Sequence, residues 1–110
     1  MATKIKTDAK IIRVIDGDTI EVKVKVRMAA IDAPETKGIE KEAGFKTKQW
    51  LINRLKAGQD VQLVITAGDV YRRLLADVFD GSVNIGEEML KEHLVEHYTP
   101  EHHNNGVMDE

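Results

Sequence analysis

The sequence contains no cysteine, only two prolines, and few aromatic residues (one tryptophan, two tyrosines and two phenylalanines). The lack of cysteine excludes a disulfide scaffold, a thiolate metal site and a cysteine nucleophile. No apolar run approaches the roughly 20 residues of a transmembrane helix, so we expect no membrane span. Residues 1–10 are polar and lack the apolar core of a secretory signal, which predicts a cytoplasmic protein or a piece of a secreted one.

The chain has 110 residues, of which 42% are hydrophobic, enough for one modest core and too few for two. We therefore predict a single globular domain at residues 1–98. Residues 99–110 are polar and rich in helix-breaking residues, and we expect them to form a mobile tail.

The formal net charge is −3, from 16 basic and 19 acidic residues. A protein that coats DNA without specificity usually carries an excess of lysine and arginine, because phosphates dominate that binding. The last twelve residues carry three acids and no base, so residues 1–98 are neutral overall. This balance leaves room for a small phosphate site held by a few arginines.

The hydrophobic pattern predicts a mainly β, α+β fold. We expect strands at 10–15, 19–27, 28–31, 61–65 and 74–79, and helices at 42–57 and 85–98. Asn84 is placed to cap the second helix, and Trp50 has the spacing of a core residue. This order of elements suits a small bent sheet that closes into a barrel with helices packed on it.

Five acidic residues stand at predicted turns or strand ends instead of on helix faces: Asp16, Asp18, Asp32, Glu35 and Asp69. If the strands that carry them are neighbours, Asp18 and Asp32 meet at one sheet edge. Carboxylates and backbone carbonyls are the ligands that Ca²⁺ prefers. Aspartate is also common turn chemistry, and this structural reading stays open for each motif alone.

Two arginines complete the pattern, Arg27 before Asp32 and Arg73 before the last long strand. In-line attack of water on a phosphodiester needs fixed positive charge near the phosphate oxygens, which a cation and two guanidinium groups supply. A nearby glutamate accepts the proton of the attacking water or orients it. The joint spacing of acids and arginines therefore indicates phosphodiester chemistry.

The sequence resembles the staphylococcal nuclease (thermonuclease) family over roughly residues 10 to 97. The motifs that carry the resemblance are Asp16-Gly17-Asp18-Thr19, Arg27 with Asp32-Ala33-Pro34-Glu35, and Tyr71-Arg72-Arg73. The resemblance implies a five-stranded OB-type barrel with two helices, and the sequence offers no segment for the family's usual third, C-terminal helix.

The same resemblance implies Ca²⁺-dependent hydrolysis of DNA and RNA to 3′-phosphorylated products. Asp18, Asp32 and the carbonyl of Ala33 would then hold the metal, with Asp16 behind them. Glu35 would orient or deprotonate the water. Arg27 and Arg73 would bind the phosphate, and Tyr71 would line the nucleotide pocket. Arg72 departs from the family, which commonly has a glycine there, and we expect it to contact the substrate as well.

One departure from the family concerns the stretch between Thr19 and Arg27, which is short and contains no Gly, Pro, Asn or Asp. Valine and lysine resist the positive φ of a tight hairpin turn. The two strands either turn under strain near Lys23 to Lys25 or run on as one. Shortened hinges favour domain swapping, so we expect a monomer or a domain-swapped dimer.

One alternative stays open, a non-catalytic OB-type module that binds nucleic acid or a peptide, because such barrels often bind without cutting. His93-Leu94-Val95-Glu96-His97 also matches the H-x-x-E-H pattern of zinc peptidases, but we interpret this short match as a chance one because no third ligand is evident.

Overall fold

The computed structural model describes residues 6–68 and 73–98, and within these ranges the chain has an α+β fold, as the sequence predicts. In chain order the elements are β1 (Lys10–Asp16), β2 (Thr19–Lys23), β3 (Val26–Met28), β4 (Ile31–Asp32), α1 (Lys41–Arg54), β5 (Gln62–Gly68), β6 (Leu74–Asp80), β7 (Val83–Asn84), α2 (Ile85–Lys91) and β8 (Glu96–His97). A 3₁₀ turn at Gly38–Glu40 precedes α1. Neither of the two helices in the described ranges is long and apolar enough to cross a bilayer.

Strand β6 is the centre of the main sheet. It pairs in parallel with β3 and antiparallel with β5 and β7, and the order β3-β6-β5 makes β3 and β5 the edges. Strands β1 and β2 form a separate antiparallel pair, the β1–β2 hairpin, and β4 pairs with β8. Within the described residues, no backbone ladder joins the β1–β2 hairpin to the main sheet. The strands of the described ranges thus form three separate sheets.

The core lies between the main sheet and the two helices. Its buried side chains are Ile31, Val78, Ile85, Met89 and Val95. Trp50 and Leu51 of α1, and Leu55 just after it, are partly buried and pack against this cluster, which confirms the prediction that Trp50 is a core residue. The core therefore anchors β4 and both helices, and β4 is the strand that ends in Asp32.

Polar contacts fix α1 against the rest of the fold. The buried Thr47 hydroxyl donates a hydrogen bond to the Leu94 carbonyl at 2.9 Å. The Arg54 guanidinium binds Asp80 at 2.7 Å and Glu88 at 2.9 Å, and thus joins α1 to β6 and α2. The hydrogen bond with Asp80, and next the one with Glu88, raises the pKa of Arg54 above its ordinary value. Arg54 therefore stays charged as a clamp between three elements.

Helix α1 begins within one residue of the predicted start at 42, but it ends at Arg54, three residues before the predicted end at 57. It ends there because Leu55 adopts an extended conformation with φ −118° and ψ 110°. The cap of the second helix is confirmed. The Asn84 side-chain oxygen accepts a hydrogen bond from the Glu87 backbone N–H at 3.2 Å. This bond satisfies one of the N–H groups that a helix start leaves unpaired.

The prediction that the second helix runs to residue 98 is wrong. Helix α2 ends at Lys91, and His93 adopts a left-handed φ of 60°. The Leu94 N–H then binds the Met89 carbonyl at 3.0 Å and the His93 N–H binds the Leu90 carbonyl at 3.1 Å. This pair of bonds is a Schellman motif, which reverses the chain, here with histidine where glycine is usual.

The predicted alternating strand 19–27 is also interrupted, at Val24 and Lys25. The following segment, β3, pairs with β6 and not with β2. The Lys25 carbonyl accepts a hydrogen bond from the Leu74 N–H at 2.9 Å, so Lys25 is already held against β6. The chain therefore leaves the hairpin and enters the main sheet almost at once.

Ala30, in the turn between β3 and β4, has a φ of 68°, a conformation that costs a residue with a Cβ atom roughly 1–2 kcal/mol. We expect Ala30→Gly to raise the free energy of unfolding by about 0.5–1 kcal/mol, measured as a higher urea midpoint at unchanged slope. Ala29→Gly is the matched control. Ala29 has no positive φ, so the added chain entropy lowers its stability. Equal shifts in the two variants would contradict the strain at Ala30.

Candidate active site

A cavity of about 440 Å³ opens between β3, the segment after β4 and α1. Four of the predicted site residues line it: Arg27, Asp32, Ala33 and Glu35. A second, smaller cavity of about 260 Å³ shares Asp32 and Glu35 and adds Glu40 and Glu96. The segment from Asp32 to Glu35 thus forms a wall between two openings, one of which is distinctly acidic.

Arg27 reaches this cavity from the middle of β3. Its neighbours Val26 and Met28 line the same cavity and also pack against the core, so the short strand β3 forms one side of the opening. Asp32 is the last residue of β4, and the next residues leave the strand because Pro34 has no N–H for a ladder. A nine-residue segment therefore supplies a cation and two carboxylates to one opening.

The Arg27 guanidinium is held by three contacts. Its Nη1 donates to the Met28 carbonyl at 2.6 Å, and its Nη2 lies 3.5 Å from the Asp32 carboxylate. The guanidinium carbon also lies 5.9 Å from the centre of the Tyr98 ring, within the range of a cation–π interaction. A guanidinium carries five N–H donors, so these contacts leave further donors for a bound anion.

Glu35 is exposed, and its backbone is held by contacts with Glu40 of the 3₁₀ turn and with Gly44 of α1. Its N–H donates to the Glu40 carboxylate at 2.9 Å. Gly44, buried in α1, lies directly against the backbone of Glu35 and Thr36, and a Cβ atom there would overlap the Glu35 carbonyl. The missing side chain of Gly44 therefore sets how closely the Glu35 loop approaches the helix.

Arg73 directly precedes β6, next to the Leu74 N–H that binds the Lys25 carbonyl. Leu75 pairs with Arg27, and Arg73 stands two positions before Leu75. Arg73 lies outside the strand and is not among the residues that line the two cavities. Asp69, Tyr71 and Arg72, which the sequence also singled out, lie outside the described residues.

Asp16 and Asp18 lie elsewhere, at the tip of the β1–β2 hairpin. The Asp18 carboxylate accepts a hydrogen bond from the Thr19 hydroxyl at 2.9 Å, and neither aspartate lines the two cavities. Across residues 6–68 and 73–98, no three His, Cys, Asp or Glu side chains cluster as a metal site would require. A single copy of the chain therefore brings together Arg27, Asp32, Ala33 and Glu35, but not the two hairpin aspartates.

The structure does not support a zinc-peptidase site. Its two histidines would have to lie one turn apart on a helix, but His93 lies beyond the end of α2 in a left-handed conformation and His97 belongs to β8. The segment instead returns along β4, where His97 pairs with Ile31 and Glu96 with Asp32.

Three residues at the site were not found from the sequence: Glu40, Gly44 and Tyr98. An isolated glycine inside a helical pattern is a signal for a close packing contact, and Gly44 is of this kind. Glu40 and Tyr98 gave no such signal, because their contacts depend on the 3₁₀ turn and on the reversal after α2.

Comparison with known proteins places the chain among nuclease relatives. A sequence model described as "Staphylococcal nuclease homologue" matches residues 25–110. A Haemophilus influenzae protein named as an uncharacterised endonuclease is 34% identical over 93 residues, covering 79% of this chain and 50% of the relative. An Escherichia coli O157:H7 protein of the same designation is 35% identical over 89 residues, covering 74% of this chain and 55% of the relative.

A third relative, an uncharacterised protein of Bacillus anthracis, is 37% identical over 97 residues, covering 74% of this chain and 43% of its own length. The chain thus spans about half the length of the relatives it matches.

Proposed function

The chain belongs to the staphylococcal nuclease family, and we propose from this that it is a Ca²⁺-dependent nuclease that hydrolyses the phosphodiester bonds of DNA and RNA. The observation that carries the proposal is the gathering of Arg27, Asp32 and Glu35 around one cavity. These residues supply a fixed cation and two carboxylates, the minimum set for attack of water on a phosphate.

The proposed metal ligands are Asp32, the carbonyl of Ala33 and Asp18, with Asp16 in support. The donor set is all oxygen, which fits a hard divalent cation. The fit is partial within one copy, because only Asp32 and Ala33 line the cavity. When bound there, Ca²⁺ would polarise a phosphoryl oxygen and make the attacking water more acidic.

The chain's own residues would perform the remaining steps. Arg27 binds the non-bridging phosphate oxygens with the donors that its contacts to Met28 and Asp32 leave over. Glu35 accepts the proton of the attacking water, whose oxygen forms the new bond to phosphorus. The bond from phosphorus to the 5′ oxygen breaks, and Arg73 stabilises the charge on that leaving oxygen. The phosphate then remains on the 3′ side.

The test is the release of acid-soluble nucleotides from denatured DNA and from RNA, with Ca²⁺ and with a chelator. We expect release with Ca²⁺, loss of release with chelator, and recovery when Ca²⁺ is added in excess. The products should support polymerase extension only after phosphatase treatment, because a 3′-phosphate blocks it. Binding of nucleic acid without Ca²⁺-dependent cutting would instead favour the OB-type binding module.

Gly44→Ala should lower the rate by about 10- to 100-fold, because its Cβ forces the Glu35 loop out of position and small misplacements cost this much. The measurement is kcat on protein whose circular dichroism confirms folding. Gly86→Ala is the matched control. Gly86 is also buried in a helix, but its added Cβ would meet the nearest atom, of Asn84, at 3.3 Å, so activity should stay near normal. Equal losses of kcat in both variants would mean that the effect of Gly44→Ala does not come from the contact between Gly44 and the Glu35 loop.

A further inference from the structure

The strands of this chain form two incomplete pieces of one ring. The main sheet runs in the order β3-β6-β5, and within residues 6–68 and 73–98 no further strand pairs with its edges at β3 and β5. The β1–β2 hairpin is a two-stranded sheet with a free edge on each strand. Adding β2 to β3 and β1 to β5 gives the closed order β1-β2-β3-β6-β5. Isolated two-stranded hairpins are at best marginally stable in water, so this hairpin needs such partners.

The two pieces also carry matching apolar faces. In the hairpin, Ile11 pairs with Val22 and Val14 with Ile20 on one face, and these four side chains are 41–69% exposed. The opposite face carries the ion pair between Arg13 and Glu21. The hairpin therefore has one apolar face that the described part of its own chain does not cover.

The uncovered region of the main sheet lies on β5. Leu63 pairs with the buried Val78, and Ile65 pairs with the buried Ala76, so both side chains lie on the core side of the sheet. They nevertheless remain 39% and 47% exposed. The core is thus open along β5, the edge to which β1 would add.

The connection between the two pieces is too short for the hairpin to fold back on its own sheet. Strand β2 ends at Lys23, and the Lys25 carbonyl already binds Leu74 of β6, which leaves Val24 alone between them. A reversal into β3 needs a turn of at least two residues, usually with positive φ, and neither Val24 nor Lys25 has a positive φ. The described connection therefore contains no turn that returns the hairpin to the edge of its own sheet.

We propose that two copies of this chain exchange their β1–β2 hairpins, so that each barrel is closed by the strands of the other copy. The exchange is reciprocal and gives a two-fold symmetric dimer, as domain swapping through a short hinge does. A second copy is the occupant that the structure favours, because only a matching sheet offers both edges and the open core along β5. The apolar face of the hairpin carries no charge that would bind a nucleic acid.

The exchange has a consequence for the active site, and this part rests on the proposed nuclease function. The hairpin tip, with Asp16 and Asp18, comes from one copy, and the cavity with Arg27 and Asp32 comes from the other. Each of the two sites is then built from both chains. Across residues 6–68 and 73–98, a single copy has neither the full proposed ligand set at one cavity nor a closed ring of strands.

The first test measures the molar mass in solution by size exclusion with light scattering, from low to high micromolar concentration. We expect twice the chain mass of 12.4 kDa. Inserting Asn-Gly between Lys25 and Val26 makes a three-residue loop with glycine at its left-handed position, and keeps Val24 opposite Val26. This variant should be a folded monomer.

The matched control places the same Asn-Gly insertion between Gly81 and Ser82, in the turn between β6 and β7, and it should remain a dimer. A wild-type chain that is monomeric at high micromolar concentration overturns the proposal, whatever else covers the hairpin. A dimer that persists when the loop between β2 and β3 is lengthened also overturns it, because the dimer is then held elsewhere.

The second test detects sites shared between chains. Asp18→Asn and Glu35→Gln are made in separate chains, which are mixed, unfolded and refolded together. Random pairing puts half of the chains in mixed dimers, each with one intact site, so about one quarter of the wild-type nuclease activity should return. Dimers without recovery overturn the shared site. If both single variants stay fully active, the proposed residue roles fail, while the mass measurement still decides the exchange.

Discussion

Glu35→Gln is expected to lower the rate of phosphodiester hydrolysis by about 10²- to 10⁴-fold, the usual contribution of a general base. The amide is nearly isosteric with the carboxylate but cannot accept the proton of the attacking water. The backbone bond from the Glu35 N–H to Glu40 does not involve the side chain, so the loop should keep its position. The measurement is single-turnover cleavage of a short DNA at saturating Ca²⁺.

A matched control is Glu92→Gln, an exposed glutamate at the end of α2 that lines neither cavity. Its rate should stay within about twofold of wild type, since exposed positions away from a site contribute little. Calcium affinity should change little in Glu35→Gln, because the proposed ligands are Asp32, Ala33 and Asp18. An unchanged rate in Glu35→Gln would remove this residue from the mechanism.

Ile85→Ala is expected to lower the free energy of unfolding by about 2–5 kcal/mol, the range for truncating a fully buried aliphatic side chain. Ile85 is 0% exposed, and it lies in the buried cluster with Ile31 and Met89. Removing three carbon atoms there leaves a cavity that the surrounding side chains fill only in part. Because small domains are stable by about 5–15 kcal/mol, a large fraction of that stability would be lost.

The control for Ile85→Ala is the same substitution at Ile39, which is fully exposed in the 3₁₀ turn before α1. Ile39→Ala should change stability by at most about 0.5 kcal/mol. Both variants are measured by urea unfolding, monitored through the single tryptophan, Trp50. A similar small effect at both positions would mean that Ile85 is not at the centre of the core.

The parts of the fold that the sequence predicted are those with local causes. The spacing of Thr47 and Leu51 indicated α1, and the capping ability of Asn84 indicated the start of α2. The end of α2 was not predicted, because the left-handed residue that ends a helix is usually a glycine, and here it is His93. Leu94 and Val95 continue the helical spacing, yet they pack into the core only after the chain reverses.

The candidate site also has one part whose residues are close in sequence and another part that depends on contacts between distant segments. Arg27, Asp32 and Glu35 lie within one short segment, and all three line one cavity. Their roles at that cavity stay predictions. The meeting of Asp18 with Asp32 depends on pairing between strands that the chain's own connection keeps apart. Sequence spacing identified the unusual connection, but not which way the strands would point. The ligand roles of Asp16 and Asp18 therefore remain predictions.

The reversal at His93 also determines where a minimal version of this protein can end. Because Glu96 and His97 return to pair with β4, the strand that holds Asp32, the residues after the last helix belong to the wall of the cavity. Tyr98, whose N–H binds the Ala30 carbonyl at 2.9 Å, fixes the turn ahead of β4 as well as facing Arg27. A truncation at the end of α2 would keep both of the described helices and still remove residues that line the candidate site.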